Sequence, residues 1–213
     1  MRHASPSLRQ KASAAYDLAL QGGRLLHKPY IPMLLEDNVR AGFFEADAFE
    51  AMREHLPVPL RAVMTFAYYT GWRIGSEVLG LEWRQVDRSA RIVRLDVGCT
   101  KNNRGRTFPY GRHSELVALM EQQGTEHRRL VAVGTLCVRV FHRKGRPIKS
   151  FRAAFESACK AARCPGRLIH DSRRTAVRNL VQAAVLERTA TTISGYKTRS
   201  LFDRYDKVSE ADI

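Results

Sequence analysis

Three side chains near the end of the chain have the types and spacing to act on an anion. His170 and Arg173 are three residues apart at the start of a run, residues 175–185, whose apolar positions recur at helical spacing. The imidazole and the guanidinium therefore point from one face of a helix. Tyr205 follows in a second short amphipathic segment, after a Gly-Tyr-Lys turn. A helical hairpin that joins these groups would let the arginine hold an anion while the phenol attacks it.

The charge of the chain favours a polyanionic partner. Its 213 residues include 36 Lys and Arg against 21 Asp and Glu, which gives a formal net charge of +15. An excess that clusters along the chain is typical of proteins that bind nucleic acid, and a merely solvated basic surface is the alternative. The hydrophobic share of 44% argues against a disordered chain, and the length of 213 residues suits one domain with an appendage.

The cysteines and the apolar segments indicate a cytoplasmic protein. Cys99, Cys137, Cys159 and Cys164 form no C-x-x-C pair and have no histidine at zinc-ligand spacing, so we expect reduced thiols. The basic N-terminus is not followed by an apolar signal core, and no run of 18 apolar residues occurs, so we expect no membrane span. We find no P-loop and no carboxylate cluster suited to a metal, and we expect neither cofactor nor metal.

Helices dominate the predicted elements, with two small antiparallel hairpins between them. Apolar spacing predicts helices over residues 8–21, 44–55, 60–69, 113–122 and 150–163, and a further one that begins at Ser76 and Glu77. Alternation predicts a strand pair over residues 91–110, with a turn at NNRG, and a shorter hairpin over residues 138–148. The predicted fold class is mixed α+β, mainly helical with small antiparallel β-hairpins.

Both hairpins carry cations that can contact a phosphate backbone. Lys101, Arg104 and Arg106 follow one another around the tip of the first hairpin, where they either contact DNA or protect a soluble sheet edge. We predict further backbone contacts from Lys144, Arg146, Lys149, Arg174 and Lys197.

Taken one at a time, the reactive residues have ordinary structural explanations. Arg73, which follows a helix that ends at Gly71, has the position of a surface arginine at a helix end. His170 alone could cap its helix, and Tyr205 alone could be a core tyrosine. Glu77 either orients a basic side chain of the site or is an acid in the first turn of a helix.

Four segments together resemble the tyrosine recombinase (phage integrase) family. TGWRIGSEVLGLEW is similar to the first arginine box of that family, TKNNRGRTFPY to its lysine-bearing β-hairpin, HDSRRTAVRN to its H-x-x-R box and SGYKTRSLFDRY to its nucleophile box. Their order and spacing also agree, over residues 40–213. The resemblance implies a tyrosine recombinase catalytic-domain fold and the catalytic positions Arg73, Lys101, His170, Arg173, Tyr196 and Tyr205.

Two features depart from the family pattern. The residue nine before the nucleophile is usually His and sometimes Trp, whereas here it is Tyr196, which can donate a hydrogen bond to a phosphate but stays neutral near pH 7. We therefore expect weakened rather than abolished chemistry. Members also carry an N-terminal helical core-binding domain, of which this chain has only an apparent final helix. Residues 1–27 are accordingly predicted to be its remnant, residues 28–43 a linker and residues 44–213 the catalytic domain.

The resemblance implies that Tyr205 attacks a DNA phosphodiester held by Arg73 and Arg173, which gives a 3′-phosphotyrosyl intermediate. Lys101 would protonate the leaving 5′ oxygen, and His170 would accept the phenol's proton or hold a phosphate oxygen. The implied protein is a site-specific DNA recombinase or integrase of a mobile genetic element, acting on double-stranded DNA in a synaptic dimer or tetramer. The alternatives are a DNA-relaxing topoisomerase of the type IB kind and a truncated, non-catalytic DNA-binding remnant.

Overall fold

The structure, a computed structural model, describes residues 6–29, 42–98 and 105–195, with side chains from residue 12 onward. By its internal contacts the chain divides into two units, residues 1–40 and residues 41–213. The first unit holds helix α1 (Pro6–Gln21), which confirms the helix predicted over residues 8–21. Lys28 Nζ binds the Asp17 carboxylate at 2.6 Å after the chain has turned at the end of this helix. The division into residues 1–27, 28–43 and 44–213 stays a prediction.

The second unit is mainly helical. Its helices are α2 (Ala46–Glu54), α3 (Val58–Thr70), α4 (Ser114–Ala132), α5 (Arg152–Ala161), α6 (Asp171–Gln182) and α7 (Glu187–Ser194). Pro57 separates α2 from α3, because a proline disfavours helical backbone in the residue before it. Gly124 lies inside α4 and does not end it, so this helix runs ten residues beyond the predicted end at residue 122. Among the described residues, none of the helices has both the length and the apolar character that crossing a membrane demands.

Two antiparallel sheets accompany the helices within the described residues. The larger has the order β1 (Val86–Asp87), β2 (Ile92–Leu95), β3 (Arg106–Pro109), and the smaller pairs β4 (His142–Arg143) with β5 (Arg146–Pro147). In the larger sheet Val93 pairs with Phe108 and Leu95 with Arg106. These pairs face the core, because alternate residues of a strand share a face. The strand pairs of both predicted hairpins are therefore confirmed, whereas the turn predicted at NNRG falls mostly on residues 102–104, outside the described residues.

Helix α3 lies at the centre of the core, which confirms the apolar helix predicted over residues 60–69. Leu60, Val63, Met64, Phe66 and Ala67 are all fully buried. A side chain of this kind contributes about 1.5–3 kcal/mol when it leaves water, so α3 and the elements packed on it form a stable platform. Helix α6, which carries His170 at its N-cap and Arg173 in its first turn, packs against α3.

The segment that enters the second unit, residues 42–45, is fixed to α6 by polar contacts. The predicted helix over residues 44–55 begins later than expected, at Ala46, because Glu45 has an extended backbone as the N-cap, with ψ of 154°. The Phe44 amide donates to Thr175 Oγ1 at 2.8 Å. The Arg178 guanidinium binds the Glu45 carboxylate at 2.6 Å and lies over the Phe43 ring at 4.8 Å. The position of α6 is thus set from two sides, by α3 and by this segment.

Candidate active site

Arg73 reaches a cavity because α3 ends abruptly before it. Gly71 caps α3 in the left-handed conformation, with φ of +67°, which a glycine adopts without the strain that a side chain would add. Trp72 is fully buried, and its indole nitrogen donates to the carbonyl of Ile193 at 3.0 Å. The backbone then makes a single π-helical turn, Ile74–Val78, in place of the helix predicted to begin at Ser76 and Glu77.

Glu77 lies at the centre of a cluster of arginines. Its carboxylate, with no exposed surface, accepts hydrogen bonds from the Arg73 backbone and guanidinium, each at 2.8 Å, and a close one from Arg106. Arg173 Nη1 lies 3.9 Å from Glu77 Oε2, the oxygen that accepts from the Arg73 backbone. Three guanidiniums thus surround one carboxylate, which leaves an excess of positive charge. An anion that enters the cluster would balance that excess.

The surroundings of Glu77 favour its ionised form in the folded protein. Burial alone would raise the pKa of its carboxyl. The hydrogen bonds from the Arg73 backbone and from Arg106 outweigh burial and hold the pKa below its usual 4.5. The carboxylate therefore fixes the orientation of the arginines around it. Glu77 lies in the first turn of the π-helical segment, as one of the two readings expected, and its hydrogen bonds to Arg73 and Arg106 agree with the orienting reading.

Exchanging Glu77 for glutamine should destabilise the fold. The exchange leaves three buried or half-buried guanidiniums without their counter-charge, so the free energy of unfolding at neutral pH should fall by about 3 kcal/mol. Because folding lowers the pKa of Glu77, its contribution is fully present above pH 4.5 and is lost as the pH falls through the folded-state pKa. Urea unfolding should therefore show a difference from wild type that shrinks below pH 4.5.

Glu156→Gln is the matched control, since that carboxylate is exposed and pairs with Arg152 on the surface of α5. It should change the free energy of unfolding by less than about 0.5 kcal/mol. A Glu77→Gln variant as stable as the control at neutral pH would contradict the structural importance of the cluster.

Arg173 is the most deeply placed cation of the site. It is 2% exposed, and its Nη1 makes a short hydrogen bond to the carbonyl of Gly71. That contact ties the first turn of α6 to the end of α3, next to Arg73. Arg173, from the first turn of α6, and Arg73, from the connection after α3, are in this way both held near the Glu77 carboxylate.

His170 stands at the N-cap of α6, one helical turn from Arg173 and open to solvent on one side. Desolvation lowers the pKa of its imidazole below the ordinary 6.5. The guanidiniums of Arg173, Arg174 and Arg73 lower it further. The ring is therefore neutral at neutral pH, and a neutral imidazole can accept a proton.

These side chains line one cavity of about 400 Å³. Arg73 and Arg173 contribute guanidiniums, His170 its imidazole, and Lys149 an ammonium from the residues that follow β5. A cavity with four basic side chains and an adjacent ionised carboxylate suits an anion of the size of a phosphodiester.

Comparison with known proteins assigns the family. The model of the phage integrase family matches residues 43–211. The chain belongs to the phage integrase family. Its sequence is 24% identical over 181 residues to the integrase of Salmonella phage P22, a match that covers 83% of this chain and 46% of that protein. The chain therefore spans less than half the length of this curated relative.

Solved structures of phage integrase relatives share the fold. The XerA recombinase superposes with a TM-score of 0.65 at 17% identity, over 98% of this chain and 74% of that one. The Tn1549 transposon integrase in complex with circular intermediate DNA gives 0.72 at 15% identity, over 97% and 75%. A lambda integrase tetramer bound to a Holliday junction gives 0.69 at 16% identity, over 94% and 60%. The predicted tyrosine recombinase catalytic-domain fold is confirmed.

Three of the six positions that the phage integrase pattern assigns to catalysis meet in the cavity: Arg73, His170 and Arg173. Lys101, Tyr196 and Tyr205 lie outside the described residues, as do Arg104 and Lys197. The roles of these residues stay predictions.

The remaining predicted DNA contacts are distributed over the surface. Lys144 and Arg146 are exposed on the hairpin of β4 and β5, where Lys144 and Gly145 both have positive φ in the turn. Arg174 is half-buried beside the site. Lys149, expected on the same basic hairpin, instead lines the cavity.

Arg106 does not lie on the surface of the first hairpin, and this part of the prediction is wrong. Its side chain is 5% exposed and binds Glu77. The reason is visible in the strand period, because Phe108 faces the core and Arg106, two residues earlier, shares its face. The alternation that predicted the strand already contained this signal.

Proposed function

We propose that the chain is the catalytic part of a site-specific DNA recombinase that cuts and rejoins strands through a 3′-phosphotyrosyl intermediate. The observation that carries the proposal is the pair Arg73 and Arg173, oriented by Glu77 and opening with His170 onto one cavity. A planar guanidinium matches the two nonbridging oxygens of a phosphodiester and keeps its charge at every accessible pH.

The proposed reaction balances without an outside energy source. Tyr205 Oη forms a bond to the phosphorus as the bond from phosphorus to the 5′ oxygen breaks, and Lys101 gives its proton to that oxygen. His170, neutral at neutral pH, takes the proton of the phenol. The phosphotyrosyl bond retains the free energy of the phosphodiester, so a 5′-hydroxyl can reverse the step.

We propose double-stranded DNA as the partner and self-association on it as a dimer or tetramer. The net charge of +15 and the exposed cations of the hairpin of β4 and β5 support a phosphate backbone as ligand. Structures of relatives bound to DNA, such as the lambda integrase dimer bound to a COC′ core site, support the assembly. We propose that the protein acts in the cytoplasm, bound to DNA.

A pool of nicked duplexes of randomised sequence tests the proposal. Where a nick lies just beyond the cut, cleavage releases a short fragment with the 5′-hydroxyl, which diffuses away and cannot reverse the reaction. Wild-type protein should therefore remain covalently attached to labelled DNA in SDS. Sequencing the attached DNA identifies the target site. Binding should weaken steeply with salt as counterions are released. Binding with this salt dependence but with no adduct from the whole pool would show a non-catalytic DNA-binding protein instead.

The pH dependence of adduct formation should follow the lowered pKa of His170. Because the pKa lies below 6.5, the imidazole stays neutral and competent from neutral pH down to that value, and the rate should fall only below it. Single-turnover rates across this range measure the effect. A midpoint of the acid limb above pH 7 would contradict a neutral His170 as proton acceptor.

Exchanging Tyr196 for histidine should raise the rate of cleavage. An imidazolium adds a positive charge to its hydrogen bond, and a hydrogen bond from a charged donor is roughly twice as strong as a neutral one. We expect a gain of about tenfold in single-turnover adduct formation. Tyr196→Phe is the control and should lower the rate, since it removes the donor. Equal rates for wild type, Tyr196→His and Tyr196→Phe would exclude Tyr196 from the site.

A further inference from the structure

The buried guanidinium of Arg106 joins three elements of the site and has no part in the proposed reaction. Arg106 belongs to β3, its Nη2 binds the Glu77 carboxylate, and its Nη1 donates to the carbonyl of Ser194 at 2.9 Å. Ser194 is the last residue of α7. One side chain thus connects the carboxylate that orients Arg73 with the end of a helix more than 80 residues further along the chain.

Helix α7 depends on such contacts to hold its end in place. It has eight residues, of which Ala190 and Ser194 are buried, and so short a helix is not stable by itself. The last carbonyls of a helix have no partner within it. In α7 the Ile193 carbonyl accepts from the Trp72 indole at 3.0 Å and the Ser194 carbonyl accepts from Arg106. Both donors belong to the framework around Arg73 and Glu77.

Gly195 allows the Arg106 guanidinium to approach the Ser194 carbonyl. It caps α7 with φ of +69°, and a Cβ at this position would lie 2.7 Å from Arg106 Nε. Any other residue would both strain the backbone and push the guanidinium away from the Ser194 carbonyl. The next residue along the chain is Tyr196.

We propose that Arg106 is a positioning residue that fixes the end of α7, and through it Tyr196, relative to the two phosphate-binding arginines. The role rests on the proposed function of Tyr196 as a donor to the phosphate. An arginine is required because its planar fork reaches a carboxylate and a carbonyl from one side chain, whereas an ammonium group offers no such fork.

A double-mutant cycle tests the role. Arg106→Lys should lower single-turnover adduct formation by up to about tenfold, no more than the loss caused by Tyr196→Phe itself, with DNA affinity within about twofold of wild type. In a Tyr196→Phe background the same change should cost less than about threefold, because the group that Arg106 positions is already lost. Arg94→Lys on the neighbouring strand β2, where Arg94 makes an exposed ion pair with Asp87, is the matched control and should have no effect.

Two outcomes of the cycle would overturn the proposal. An equal loss in both backgrounds would mean that Arg106 does not act through Tyr196. Recovery of Arg106→Lys on a substrate with a bridging 5′ sulfur, whose thiolate leaves without a proton, would mean that it acts through Lys101 instead. A wild-type protein that forms no adduct would count against the proposed function and not against the contact itself.

Hydrogen exchange tests the contact without DNA and without activity. Arg106→Lys should speed exchange in peptides that cover α7 by about threefold to tenfold, the equivalent of one lost hydrogen bond, and leave α3 unchanged. Gly195→Ala, which keeps the charge of Arg106, should have the same local effect. Unchanged exchange in α7, or an equal rise in α3 and α7, would show that Arg106 does not fix the end of this helix.

Discussion

Tyr205→Phe should abolish the covalent adduct with DNA and leave DNA affinity nearly unchanged. Phenylalanine has no nucleophilic oxygen, so adduct formation on the nicked duplex should fall by roughly 10³-fold or more. Affinity should stay within about threefold, because cations that contact phosphates set it and the phenol carries no charge. The adduct is measured by retention of labelled DNA in SDS, and affinity by a gel shift at fixed salt.

Tyr16→Phe is the control for this prediction, since Tyr16 belongs to α1 in the first unit of the chain. It should leave both measurements at the level of wild type. An adduct that persists in Tyr205→Phe would show that another side chain is the nucleophile. Loss of DNA binding together with the adduct would show that Tyr205 has a structural role.

Arg173→Lys should lower cleavage by about 10²–10³-fold, the usual cost of losing one preorganised donor to a transition state. The positive charge remains, but lysine cannot bind the Gly71 carbonyl and two phosphate oxygens at once. The defect should therefore appear in the single-turnover rate far more than in DNA affinity. Thermal unfolding of the variant, compared with wild type, shows whether the protein is folded under the conditions in which the rate is measured.

Arg152→Lys is the matched control, because Arg152 is exposed on α5 and pairs with Glu156 across one turn. Its cleavage rate should equal that of wild type. A rate for Arg173→Lys within tenfold of wild type, in a protein that is folded, would contradict the proposal that the guanidinium itself binds the phosphate.

The helices that carry the predicted site could be found from the sequence because their signal is local. Ala176, Val177 and Leu180 recur at the spacing that turns one face of α6 to the core, so His170 and Arg173 could be assigned to one face in advance. The same is true of α3, which turns Leu60, Val63, Met64, Phe66 and Ala67 into the core. Gly71 marks its end because a left-handed cap favours glycine.

Other parts of the site could not be found because their causes are distant along the chain. Helix α7 was not predicted, since two buried small residues in eight leave no apolar period to detect. Nor does the sequence show that Glu77 would meet three arginines, which come from the turn after α3, from β3 and from α6. Local periodicity predicts which face of an element is buried, whereas a polar cluster depends on how several elements pack.

The central claim is that one phosphate is bound between Arg73 and Arg173 while residue 205 stands in line with its 5′ oxygen. A crystal structure of the Tyr205→Phe variant on an intact target duplex tests it most directly. We predict that guanidinium nitrogens of both arginines lie about 3 Å from the two nonbridging oxygens of a single phosphate. A bound duplex whose nearest phosphate stays outside the cavity, or a residue 205 that neither this chain nor a neighbouring copy brings to that phosphate, would contradict the account.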